Sequence, residues 1–272
     1  MAGLLESIFG TPHPVIGMVH LPPLPGSPRW RGDLGRILDR AVKDAKALKA
    51  GGADGAVIEN YGDAPFVAGP VGPECVAAMT AALRACVEAT GLPFGVNCLR
   101  NDPVSALAVA LAGGGRFVRT NVHTGALVTD QGILEGRAAE TMRARAALRA
   151  EGIAVFADVL VKHAVPLGPR DPRRAAKDAV HRGLADAVLV TGPATGARAD
   201  LREVAAVRDG VPGTPVIVAS GVVPRDLPLV ASLADGVLVG SSLERGGRAG
   251  NPVEAARVRA LVAAARRAWK RR

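Results

Sequence analysis

Eight short apolar runs recur along the chain, and nearly every one gives way to a polar residue or a glycine at its carboxyl end. They are Val15–Val19, Ala56–Ile58, Phe94–Val96, Phe117–Val118, Ile153–Ala157, Ala187–Val190, Val216–Ala219 and Gly236–Val239. The residues that follow are His20, Glu59-Asn60, Asn97, Arg119-Thr120-Asn121, Asp158, Thr191-Gly192, Ser220-Gly221 and Gly240-Ser241. Runs this short and this apolar suit parallel strands buried on both faces. Helical segments fall between them: Leu34–Ala50, Glu74–Thr90, one opening at Asp102-Pro103, one ending near Glu151-Gly152, Pro172–Gly183, Leu201–Arg208, Arg225–Leu233 and Pro252–Trp269. Asp102 suits an N-cap with Pro103 at the first helical position, and Gly51-Gly52 suits a helix stop. The strand starts lie roughly 20 to 40 residues apart, the spacing of βα units. The pattern predicts a single α/β domain over residues 1–272, a (β/α)8 TIM barrel whose polar strand endings converge on one mouth. Loops after strands are longer than those before them, the proline-rich Leu21–Pro28 and Glu59–Pro73 among them, and the long connection Asn121–Gly136 reads as loop.

Composition narrows the function classes. Aromatic residues are scarce, with one Tyr, two Trp and five Phe, so the core is expected from Ala, Val and Leu. The formal charge is +9 and the isoelectric point near 10.3. Much of that charge falls on helix surfaces such as Arg143, Arg145 and Arg149 and on the tail Arg266–Arg272. Neither a recognition motif nor a basic surface interleaved with aromatics accompanies it, so no specific nucleic-acid partner is expected. Cys75, Cys86 and Cys98 are odd in number and lack CxxC spacing, which predicts reduced, buried thiols. No signal peptide and no membrane-length apolar run is evident, and a cytoplasmic homo-oligomer is expected.

The strand endings carry the candidate chemistry. Ser220, Gly221, Gly240 and Ser241, after the seventh and eighth strands, are the expected phosphate-binding set, because glycine admits a ligand to the backbone and barrels often bind phosphate there. Thr191 and Gly192 offer further donors, though no Gly-Lys-Ser/Thr follows them to make a P-loop. Lys162 and Asp158, with Glu59 opposite, are the expected catalytic acid–base groups, since a desolvated lysine can titrate toward neutrality or form a Schiff base. His20, Asn60, Asn97, Arg119, Asn121 and His163 complete the expected substrate-binding set, with Arg119 able to clamp an anion or to neutralise Glu59. His123 lies in the loop after the fourth strand. No HxH or HExxH pair occurs, so neither a metal nor another cofactor is expected. Asp235, at the start of the eighth strand, lies on the opposite face and reads as structural.

Several blocks in order resemble one family. They are Gly17–Gly26 (GMVHLPPLPG), Ile58–Phe66 (IENYGDAPF), Gly95–Asp102 (GVNCLRND), Arg119–Ala126 (RTNVHTGA), Thr129–Gly132, Ala157–Ala164 (ADVLVKHA) and Val190–Gly192. Together they span essentially the whole chain and resemble the BtpA, or BtpA/SgcQ, family. Tyr61 stands where cyanobacterial members carry Phe, and Cys98 replaces a more usual aliphatic residue. The resemblance implies a TIM barrel of the phosphate-binding, ribulose-phosphate-binding-barrel-like type. The family is named for a cyanobacterial factor needed for photosystem I to accumulate, but it brings no settled reaction. Two functions follow as expectations. One is an enzyme acting on a small phosphorylated ligand by isomerisation, aldol-type cleavage or glycosidic-bond cleavage. The other is a noncatalytic assembly or stability factor of the photosystem I biogenesis kind.

Overall fold

Side chains of a strand alternate between two faces, and the apolar runs use that period to build two cores. In the computed structural model, which describes residues 3–271, eleven strands form among those residues. They are β1 (Val15–His20), β2 (Gly55–Glu59), β3 (Phe94–Asn97), β4 (Phe117–Thr120), β5 (Ala126–Thr129), β6 (Gly132–Glu135), β7 (Ala154–Val159), β8 (Ala164–Pro166), β9 (Ala187–Thr191), β10 (Val216–Ala219) and β11 (Gly236–Val239). Eight of them close a parallel barrel in the order β1-β11-β10-β9-β7-β4-β3-β2. Val15, Val19, Ala56, Ile58, Val118, Val155, Val188, Val218 and Val237 point outward into a core shared with the helices. Ile16, Met18, Val57, Phe117, Phe156, Leu189, Ile217 and Leu238 point inward and fill the barrel. Arg272 of the basic tail lies outside the described residues.

The helices are α1 (Leu4–Phe9), α2 (Leu34–Ala50), α3 (Pro73–Thr90), α4 (Pro103–Gly113), α5 (Ala138–Ala147), α6 (Pro172–Lys177), α7 (Leu201–Gly210), α8 (Leu227–Leu233) and α9 (Ala255–Trp269). Asp102 caps α4 as its residue type dictates, its side chain accepting from the Ser105 N–H at 3.1 Å. Four predicted helices have different ends, the one expected to end near Glu151-Gly152 stopping at Ala147. The one over 172–183 changes after Lys177 into a π-helical turn at Asp178–Arg182. The one over 225–233 begins with a 3-10 turn, Pro224–Asp226. The closing helix starts at Ala255, because Val253 is held in an extended bridge to Glu244.

Two features were not read from the sequence. The lead before β1 forms α1, which closes the base of the barrel: Leu5, Ile8 and Phe9 join the inward core, and Phe9 meets Phe117 edge-on at 5.5 Å. The connection 121–136 is not plain loop but the β5–β6 hairpin, and β8 pairs with β5 on the other side. Leu127 and Leu134 pack with Val122 and Val161 beneath this small sheet, whereas Val128, Ile133 and Val165 are exposed above it. Strands of three or four residues, one ending in Pro166, give too few alternations to stand out from loop.

Asp235, at the base, accepts from the Val216 N–H and from Arg208, which fits a structural role. Cys75, Cys86 and Cys98 are buried free thiols. Burial pushes the first two up to about 12 and the third well above its usual value. No helix among the described residues is long and apolar enough to cross a membrane.

Candidate active site

The same alternation that fills the barrel decides what stands at its carboxyl end. On six strands the next inward position after the apolar residues is polar: His20, Glu59, Asn97, Arg119, Asp158 and Thr191, each buried. Ladder register sets three of them in one row, His20 opposite Glu59 and Glu59 opposite Asn97. Asn97 donates from Nδ2 to Glu59 Oε2 at 2.7 Å, and Arg119 Nη1 lies 3.9 Å from the same oxygen. His20 Nε2 faces Glu59 Oε1 at 3.7 Å. Burial works to raise the Glu59 pKa, but His20, Lys162, Arg119 and the Asn97 hydrogen bond together hold it below its usual value. Glu59 is therefore an ionised carboxylate set among cations.

Arg119 clamps a carboxylate, one of the options its residue type offers, and that carboxylate belongs to Asp158. The guanidinium turns its Nε and Nη2 onto both oxygens of Asp158 at 3.0–3.3 Å, so its main partner is neither an open anion site nor Glu59. Asp158 also accepts from Asn121 Nδ2 at 2.7 Å, and its side chain is fully buried. With that many donors the carboxylate holds Arg119 and Asn121 in place. Asn60, expected on the substrate, braces two loops: Oδ1 accepts from the Leu99 N–H at 2.7 Å and Nδ2 donates to Asp63 and to the Leu99 carbonyl. Thr191 Oγ1 accepts from the Lys162 N–H at 3.0 Å, and Gly192 is packed against the backbone of Ala197 and Arg198. His123 points away from the mouth, its Nε2 bonded to the Gly183 carbonyl.

Above this layer opens a cavity of about 690 Å³ whose wall includes Glu59, Arg119, Asn121, Lys162, His163 and Thr195. Lys162 is half-buried there. Burial and then Arg119 lower its pKa, with Arg100 adding to them, against opposition from Glu59 and Asp158. His163 sits on the rim, its Nε2 accepting from the Thr195 N–H at 3.2 Å. Asn121 spends its amide nitrogen on Asp158, and its buried Oδ1 has no partner among the described residues. Asn97 Oδ1 is orphaned in the same way. Buried acceptors without partners are costly, so a ligand's O–H or N–H groups fit this layer.

Four residues at the mouth escaped the sequence reading. Glu244, four positions beyond Gly240, accepts from His20 Nδ1 at 2.5 Å, which fixes the imidazole with Nε2 toward Glu59. Tyr61 lies against the His20 ring at a centroid distance of 4.6 Å, and burial followed by Glu59 and Glu244 raises its pKa. Arg100 lines the cavity and donates from Nη2 to the Lys162 carbonyl at 2.7 Å. Asp130, in the β5–β6 turn, reaches the cavity from above. Tyr61 and Arg100 lie in the family-like blocks, but only the fold turns their loops inward. Asp130 lies in the Thr129–Gly132 block as well, whereas Glu244 had no local signal, because it sits in a turn beyond β11 and not at a strand end.

Of the expected phosphate set, Gly221 and Ser241 line a neighbouring cavity of about 410 Å³ with Gly196, Ser242 and Arg257, whereas Ser220 and Gly240 do not. The Ser220 N–H is already donated to the Leu238 carbonyl at 3.2 Å, so it is not available to an anion. Gly221, at φ +66°, is demanded by the loop of Ala197 crossing over it, which explains that glycine without a ligand. Gly240 packs against His20, whose Cε1 would lie 2.9 Å from a Cβ there. Ser241 opens a three-residue 3-10 turn. No cluster of three or more His, Cys, Asp or Glu with the spacing of a metal site occurs among the described residues.

An eight-stranded parallel barrel with polar side chains gathered at the carboxyl ends of its strands defines a TIM barrel. The solved thiamine phosphate pyrophosphorylase of Pyrococcus furiosus has this fold, superposing with a TM-score of 0.58 at 14% identity over 93% of this chain and 96% of that one. Residues 11–267 match the model of the BtpA family, to which the chain belongs. It is 44% identical to the photosystem I biogenesis protein BtpA of Synechocystis sp., over 96% of this chain and 90% of that protein. It is 45% identical to an uncharacterised protein of Thermococcus kodakarensis, over 92% and 94% of the two chains.

Proposed function

We propose that this chain is an enzyme acting on a small phosphorylated metabolite, with Lys162 and Glu59 moving protons at the barrel mouth. The observation that carries the reading is a lysine side chain lining a roomy cavity together with an ionised carboxylate, above the buried Arg119–Asp158 pair. Burying such groups costs free energy that a passive scaffold has no reason to spend. Glu59, held ionised, takes a proton; Lys162, with its proton loosened, takes or returns one on the other side of the substrate. Asn121 Oδ1 and the Arg100 guanidinium orient hydroxyl and anionic groups of the ligand. The phosphate is placed in the adjoining cavity at Ser241 and Gly221, with Arg257 as the nearby cation. Thr195 lines the first cavity and Gly196, the next residue of the same loop, lines the second. Isomerisation, aldol-type cleavage and glycosidic-bond cleavage all use such an acid–base pair. We take the protein to work in the cytoplasm as a homo-oligomer; a solution mass equal to the 27.8 kDa single chain would contradict the latter.

A second reading, a noncatalytic assembly factor, draws support from the 44% identity to a photosystem I biogenesis protein. Thermal denaturation with a panel of phosphorylated sugars and nucleotides separates the two. The enzyme reading expects at least one compound to raise the melting temperature increasingly with concentration, and expects Ser241→Asp to abolish that rise. If no phosphorylated compound stabilises the wild type, or if Ser241→Asp responds as the wild type does, the reading falls.

A further inference from the structure

Around Lys162 the backbone is held and the amine is left alone. The Lys162 N–H donates to Thr191 Oγ1 at 3.0 Å, and its carbonyl accepts from Arg100 Nη2 at 2.7 Å. Leu160 and His163 adopt φ of +52° and +55°, conformations that non-glycine residues take only where surrounding structure imposes them. Yet Nζ makes no hydrogen bond and no direct ion pair among the described residues, although Glu59 lines the same cavity. A lysine kept as a counter-ion would rest on its carboxylate. Composition sharpens the point: only six of the 34 Lys and Arg residues are lysines. The chain uses arginine at positions 100 and 119 but lysine at 162. Arginine keeps its proton throughout the working pH range, whereas a lysine can lose it and attack carbon.

We propose that Lys162 is a covalent nucleophile that forms an imine with an aldehyde or ketone carbon of the substrate. The proposal rests on the acid–base reading above and narrows it to phosphorylated carbonyl compounds, leaving aldol-type cleavage or isomerisation and removing glycosidic-bond cleavage. In the step, Glu59 takes one proton from the Lys162 ammonium and the freed amine adds to the carbonyl carbon. A C–N bond forms, and the C=O π pair moves to oxygen. The carbinolamine then expels that oxygen as water, which carries away both protons the ammonium has lost, one of them returned through Glu59. The iminium keeps the single positive charge, so atoms, protons and charge balance without an oxidant or reductant. The cavity supplies what the step requires, an ionised Glu59 and an amine whose proton burial and Arg119 loosen.

Reductive trapping tests the proposal. Wild-type protein is incubated with dihydroxyacetone phosphate, glyceraldehyde 3-phosphate, ribose 5-phosphate or pyruvate plus cyanoborohydride, and adducts are located by peptide mass spectrometry. The expected result is an adduct from at least one probe confined to Lys162, with Lys43, Lys46, Lys49, Lys177 and Lys270 as internal controls. Lys162→Arg, which keeps the charge and the backbone bonds, is expected to lose the adduct while melting as a folded protein. Absence of an adduct with every probe, equal labelling of the surface lysines, or persistence in Lys162→Arg overturns the imine. If phosphorylated compounds still stabilise the wild type while no adduct forms, the imine is rejected and the acid–base reading stands. An adduct with pyruvate alone, in a protein that no phosphate compound stabilises, supports the imine and removes the phosphate.

Discussion

At the residue scale, the site is a set of charges whose partners decide their roles. Asp158 and Arg119 are each other's compensation in a buried layer. Removing one member of such a pair leaves a buried charge and costs about 3–5 kcal/mol, so Asp158→Ala is expected to lose that much stability in urea titrations. Lys162 works in the opposite sense. Its pKa in the folded state lies below the usual lysine value, so between the two the unfolded chain binds more protons and stability rises with pH. Lys162→Met is therefore expected to raise stability near neutral pH, by about 1 kcal/mol on the scale typical of relieved functional sites, while abolishing turnover. A variant that melts lower than the wild type would contradict this. Glu59 lies below its unfolded value of 4.5, so its contribution is complete above that pH and disappears as pH falls through the folded value. Glu59→Gln is expected to flatten the acid limb of a stability–pH curve. Which residues end the strands was legible in the sequence; which of them pair was not, because pairing depends on neighbours 37 to 39 positions away, as for Asn121, Arg119 and Asp158.

At the scale of elements, the strict period of two explains both the fold and the location of the site. Inward positions are apolar until the last, which is polar on six strands, so one alternation builds the core and then ends it in chemistry. That much could be read from eight short runs. The loops were harder, since each takes its shape from another loop. The Leu21 N–H donates to the Glu59 carbonyl and the Gly62 N–H to the Leu21 carbonyl, locking the loops after β1 and β2 together. Gly62 has no room for a Cβ, which would stand 2.5 Å from the Pro22 carbonyl carbon. Gly62→Ala must displace backbone, and a cost of about 1–3 kcal/mol is expected together with weakened ligand binding, because this junction carries Tyr61 into the mouth. A variant with wild-type stability and ligand response would show that the junction is dispensable. The β5–β6 hairpin escaped notice because its strands have only four residues each.

At the scale of the whole molecule, the barrel is closed at one end and open at the other. Helix α1 supplies the closure, through Leu5, Ile8 and Phe9. Phe9→Ala is expected to cost about 3–5 kcal/mol, read from denaturant titrations, and to leave ligand specificity unchanged because the mouth lies at the opposite end. A loss of stability below the range of a surface substitution would show that the plug is incidental. The helix was invisible as a plug because six residues at a chain end carry no periodic signal of their partners.

The mouth at the other end carries the central claim, that its charges turn over a phosphorylated metabolite. The most direct measurement is mass spectrometry of a cell metabolite extract incubated with wild-type protein and, in parallel, with Lys162→Met. The account predicts that at least one phosphorylated compound is consumed, and a product appears, only with the wild type. Identical metabolite profiles for the two proteins, or equal consumption by both, would contradict it.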